Sequence, residues 1–151
     1  MPWSHIIIHH SWTRDTPSLS LDAIRRYHVE TNGWSDIGYH WVVELVQKRF
    51  EVIMGRPLTR TGAHAIELDM NHRAIGICLV GKFDNHVPPA GLLDKTEQLI
   101  LWLQATYKIP GQNILGHRDV GMMAGYDWQQ DQYKSCPGAS FPLQEFKERF
   151  L

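Results

Sequence analysis

With 151 residues, 43% of them hydrophobic and 21% charged, the chain has the length and composition of one globular domain, long enough to bury a core without disulfides. Fifteen basic residues against 16 acidic leave a net charge of −1, which argues against the concentrated basic stripe of a nucleic-acid-binding protein. No run approaches the ~18 apolar residues of a membrane span. Met1-Pro-Trp-Ser-His-Ile-Ile-Ile lacks the charged start and long apolar stretch of a secretory signal, so synthesis in the cytoplasm without an export address is expected.

In chain order, Ile6-Ile7-Ile8 is a β-branched run that ends in His9-His10. As a strand it delivers two consecutive imidazoles to opposite faces at its C-terminal end. Ser20 is a candidate N-cap for a helix to about Thr31, with Leu21, Ile24, Tyr27 and His28 on one face and Gly33 as the stop. Tyr39 to Val46 and Phe50 to Met54 read as a hairpin turning at Gln47-Lys48-Arg49. A loop from Gly55 to about Asn71 precedes a central strand, Ala74 to Val80.

Pro88-Pro89 introduces a helix from about Leu92 to Tyr107, and Asn113-Ile114-Leu115 is a short strand feeding Gly116-His117. A long polar loop is expected next, then a last helix from Pro142 with Leu143, Phe146 and Phe150 at helical spacing. Strands interleaved with helices, plus one hairpin, predict a single α/β domain over 1–151, a central mixed β-sheet flanked by about three helices.

Two cysteines make no disulfide framework. Cys78, inside the apolar run Ile75 to Gly81, reads as a buried strand thiol, whereas Cys136 lies in the loop Lys134-Ser-Cys-Pro-Gly138. His9, His117 and Cys136 each stand at a strand end or in a loop, and imidazole nitrogen with thiolate sulfur suits zinc, three protein ligands leaving a fourth position for water. No CxxC pair marks the spacing, so on these residues alone histidines that merely cap strands remain an equal alternative.

Six segments occur in order: Ile7-Ile-His-His-Ser11, Gly38-Tyr-His40, Gly62-Ala-His-Ala65, Asn71 with Ile75 to Gly81, Gly116-His-Arg-Asp119, and Lys134 to Gly138. The succession covers about residues 5–150 and resembles the zinc-dependent N-acetylmuramoyl-L-alanine amidases, a family that includes amidase-type phage lysozymes and peptidoglycan recognition proteins. The resemblance implies one Zn²⁺ ion held by His9, His117 and Cys136, with His10 adjoining but outside the ligand set. It implies catalytic roles for Tyr39 and Lys134, and a place near the substrate for His64.

Members that only bind peptidoglycan tend to lack the ligand cysteine, so Cys136 implies catalysis. The bond cut would be the amide between N-acetylmuramic acid and L-alanine of the stem peptide. Tyr39 would orient the attacking water or meet the developing oxyanion, and Lys134 would add a positive donor there.

Peptidoglycan is then the partner, with no role for nucleic acid or membrane, and a monomer is expected. A phage or prophage endolysin released to the wall fits the missing export signal. A cytoplasmic wall-recycling amidase, which tends to carry aspartate in place of Cys136, and a non-catalytic peptidoglycan-binding module are the alternatives. Arg56, Asn71 and His40 are candidates for substrate contacts, Asn71 reading equally as a brace for its loop. His40 and Asp119 are candidates for fixing an imidazole tautomer. Trp12, Trp34, Trp41 and Trp128 either stack on sugars or pack in the core.

Overall fold

The computed structural model describes residues 2–13, 20–130 and 134–151. Strand β1 (His5–His10) is buried from Ile6 to His10, as a strand covered on both faces must be, which is why its apolar residues run without alternation. It pairs in parallel with β4 (Ala74–Leu79) on one side and β5 (Ile114–Gly116) on the other; Ile6 stands opposite both Ile75 and Ile114. Strand β2 (Trp41–Val46) runs parallel to β4 and antiparallel to β3 (Arg49–Met54), turning at Gln47, whose φ is 57°. The sheet order is β3-β2-β4-β1-β5, the expected mixed sheet.

Among the described residues five α-helices accompany it instead of about three: α1 (Leu21–Arg26), α2 (Met70–Arg73), α3 (Ala90–Tyr107), α4 (His117–Met123) and α5 (Leu143–Glu148). Helix α1 continues as a wider turn through Thr31, and Gly33 follows with φ 71°. Ser20 occupies the N-cap position without a side-chain cap; the N–H of Leu21 donates instead to Oε2 of Glu44, a buried carboxylate from β2, at 2.8 Å. Helix α4 takes the start of the expected polar loop. Its cap comes from Asp119, whose Oδ2 accepts the Gly116 N–H at 3.0 Å, and its fully buried Val120 anchors it to the sheet.

Helices α3 and α5 cover one face, where Leu92, Ile100, Leu103 and Phe146 meet Ile6, Ile8, Ile75 and Ile77. On the other face Ile7 packs with Ala65, Met70, Leu115 and Val120. Cys78 is fully buried beside Ile37 and Val42, matching its reading as a strand thiol. Each fully buried aliphatic side chain contributes roughly 1.5–3 kcal/mol. Alternation along β1 therefore sends His9 to the face of Ile7 and His10 to the face of Ile6 and Ile8.

Candidate active site

His9 sits at the C-terminal end of β1, and His117 opens α4 directly after β5, so two adjacent parallel strands end beside each other with an imidazole each. The third residue arrives on a loop with three separate anchors. Asp84 Oδ1 accepts the Ser135 hydroxyl at 2.6 Å and the Ala139 N–H at 3.0 Å, and the Arg118 N–H donates to the Cys136 carbonyl at 2.8 Å. Gly138 allows the close approach: its φ is 126°, and a Cβ there would lie 2.4 Å from the Phe83 carbonyl oxygen.

The result is one buried group. One donor atom from each of His9, His117 and Cys136 lies within 4.8 Å of the others, and among the described residues this is the cluster capable of holding a metal ion. Nδ1 of His9 is 3.6 Å from Sγ of Cys136. His10 is excluded by strand geometry, its ring turning away to accept the Phe83 N–H at 3.2 Å.

Hydrogen bonds set which nitrogen His9 and His117 turn towards the cluster. His64 Nε2 lies 3.1 Å from the Ala74 carbonyl, which can only accept, so the proton is on Nε2 and Nδ1 is an acceptor. His9 Nε2 then donates to His64 Nδ1 at 3.0 Å, turning His9 Nδ1 towards Cys136. His117 Nε2 is 3.0 Å from Oε2 of Glu67.

The electrostatics keep this group uncharged. Burial, then the neighbouring His117 and His64, holds His9 well below the usual histidine range, and burial lowers His117 against the opposing pull of Glu67. Burial pushes the Cys136 thiol up to about 12, although the His10 N–H and the Lys134 charge favour the thiolate. A cation replacing the thiol proton would relieve that burden, and two neutral imidazoles with a thiolate form a donor set suited to a divalent transition metal. The residues fit a metal ion.

The group lies on the floor of a cleft of about 990 Å³, which Tyr39, His64, Asn71 and Lys134 also line. The Tyr39 ring is 5.1 Å from the His9 ring, and burial, with the Cys78 and Cys136 thiols nearby, raises its pKa well above the ordinary value. Lys134 is exposed at the rim, and its charge helps hold down the His9 and His117 pKa values.

The other expected site residues have structural partners. Asn71 Oδ1 accepts the N–H groups of His64 and Ala65 at 2.7 and 2.9 Å, bracing the loop. Arg56 and His40 do not line the cleft. His40 is fully buried between the Gly76 N–H and the Arg60 carbonyl, while Arg56 donates to three backbone carbonyls. Neither His40 nor Asp119 hydrogen-bonds to the His9 or His117 ring: Asp119 binds the Gly116 N–H and the Lys147 ammonium at 2.8 Å. Trp12 and Trp34 line the cleft, whereas Trp41 packs on Trp102 and Trp128 lies under Arg118.

Glu67 and Asp84 escaped the sequence reading. Their partners are 50 and 51 residues away, and no local pattern marks either.

Residues 1–139 match the protein family described as N-acetylmuramoyl-L-alanine amidase. The endolysin of Enterobacteria phage T3 is 32% identical over 150 residues, spanning 95% of this chain and 85% of the relative. Peptidoglycan-recognition protein LB of Drosophila melanogaster is 32% identical over 126 residues, 79% of this chain and 52% of that protein. Among solved structures, the N-acetylmuramoyl-L-alanine amidase LysC from Clostridium intestinale superimposes with a TM-score of 0.76 at 25% identity, over 99% of this chain and 85% of the other.

Proposed function

The chain belongs to the N-acetylmuramoyl-L-alanine amidase family, and from that premise we propose that it is a zinc-dependent hydrolase of the amide between N-acetylmuramic acid and L-alanine in peptidoglycan, working as an endolysin. One observation carries the reading: the buried His9, His117 and Cys136 donors converge on the floor of a cleft that Tyr39 and Lys134 also line. A cleft of about 990 Å³ is at the upper end of the range that accommodates a sizeable ligand, as a sugar-linked peptide requires.

His9, His117 and Cys136 would hold the zinc ion. Bound there, zinc would lower the pKa of water towards ~7 and polarise the amide carbonyl. Tyr39, held protonated by its burial, offers a hydroxyl that orients the attacking water or donates to the carbonyl oxygen as charge develops. Lys134 brings a positive donor to the same side, and losing one such group typically costs ~10²–10³ in turnover. Trp12 and Trp34 give the cleft two aromatic surfaces against which a sugar or peptide can pack.

Curated relatives from phages T3 and T7 carry the name endolysin, which supports action on the wall after release. Among the described residues no helix is long and apolar enough to cross a membrane.

The test is to incubate purified wall with the protein and zinc and count newly exposed L-alanine amino groups. Their appearance is expected; wall that is bound but yields none would identify a binding module instead.

A further inference from the structure

Glu67 has no part in the reaction just described, yet its carboxylate oxygen is 3.0 Å from Nε2 of His117, with side-chain exposures of only 11% and 3%. A carboxylate this sheltered is costly without a partner. The chain also accepts unfavourable backbone geometry next to it. Leu68 (φ 54°) and Asp69 (φ 59°) are two consecutive non-glycine residues in the left-handed region.

The surrounding loop holds the carboxylate in place. The Gly62 N–H donates to the Asn71 carbonyl at 2.9 Å, Asn71 Oδ1 takes two further loop amides, and Met70 is fully buried as an anchor. The same loop carries His64, the partner of His9.

We propose that Glu67 is a positioning residue for the metal centre: by accepting the Nε2–H of His117 it holds that ring as an Nδ1 ligand and tightens the hold on the ion. The inference rests on the reading of His9, His117 and Cys136 as the zinc site. The chemistry follows from the imidazole. One ring nitrogen must carry the proton for the other to present a lone pair, and an anionic acceptor at Nε2 fixes the choice, fixes the ring's rotation and makes Nδ1 the better donor. With Glu67 on one imidazole and His64 on the other, the 62–71 loop sets both histidine ligands.

The experiment measures zinc affinity of the full chain by chelator competition, and the visible spectrum of the cobalt-substituted protein, for wild type, Glu67→Gln, Glu67→Ala and Cys136→Ser. Glu67→Ala is expected to bind zinc ~10–100-fold more weakly and to alter the cobalt spectrum. Glu67→Gln, which keeps a neutral acceptor, should fall between it and wild type. Wild-type affinity and an unchanged cobalt spectrum in both Glu67 variants would overturn the proposal and leave Glu67 a purely structural partner.

Equally weak binding by wild type and Cys136→Ser would instead overturn the metal reading, and this inference with it. A readout that needs no variant is the imidazole nitrogen resonances of metal-free wild type. They should show His117 protonated on Nε2; a proton on Nδ1 would overturn the proposal.

Discussion

The backbone N–H of His10 donates to Sγ of Cys136 at 3.3 Å, joining the end of the first strand to a loop 126 residues further along the chain. Strand β1 thus serves the cluster twice, with the His9 ring turning Nδ1 towards the sulfur and the His10 amide donating to it. The His10 ring itself is committed to the opposite face, where it accepts the Phe83 N–H. That division of labour between neighbours follows from strand alternation, and it explains why only one of two adjacent histidines turns its ring to the cluster.

Cys136→Ser removes the sulfur while leaving the loop anchors of Asp84 and Arg118 in place. Zinc affinity should fall by more than the ~10–100-fold typical of losing an outer partner, and L-alanine release should drop to background with the melting profile of the metal-free protein unchanged. Lys134→Ala should behave differently, keeping its zinc but losing ~10²–10³ in turnover. Metal analysis by mass spectrometry beside the release assay separates the two; full activity in Cys136→Ser would refute its role as a ligand.

Acid should destabilise the metal-free protein. Burial, first among the causes, lowers His10 and His40 to about 4 and His64 to about 3, while each titrates near 6.5 when unfolded. Between those values the unfolded chain binds more protons than the folded one. Stability therefore rises with pH through this window and is lost as pH falls, each histidine contributing up to ~1.4 kcal/mol per pH unit. Chelator-treated protein should melt at a nearly constant temperature above about pH 7 and at steadily lower temperatures towards pH 4. A flat melting temperature across that interval would show that these histidines meet protons freely in the fold.

Arg56 should prove to be a structural residue. Its guanidinium donates to the carbonyls of Ile37, Thr61 and Asp36 at 2.9, 2.8 and 3.3 Å, and the residue is only 6% exposed. Arg56→Met leaves those carbonyls short of donors and should cost about 2–4 kcal/mol of stability, with little change in KM for the folded fraction. A large rise in KM at unchanged stability would restore the substrate role that its sequence position suggested.

Much of the architecture was readable because its signals are local. The Ile6-Ile7-Ile8 run, the hairpin around Gln47 and the apolar stretch before Gly81 each specify their element within a few residues, and the observed strands fall within two residues of the expected limits. Helix α4 was hidden because its seven residues are too few for a periodic apolar face; its cap and the Asp119–Lys147 pair, 28 residues apart, support it instead.

The candidate centre, two imidazoles and a thiol at strand ends and in a loop, was singled out by the family resemblance, since on residue type alone histidines that merely cap strands stood as an equal alternative. Which nitrogen each histidine turns towards it was not legible in the sequence, because that choice belongs to His64 and Glu67, 55 and 50 residues from the rings they touch. Likewise His40 and Arg56 stand in segments that suggest a cleft, but buried backbone groups claim their side chains. A sequence can declare what a side chain is able to donate or accept. Only the packed sheet and its loops decide which partner is within three ångströms, since hydrogen bonds are satisfied in space and not along the chain.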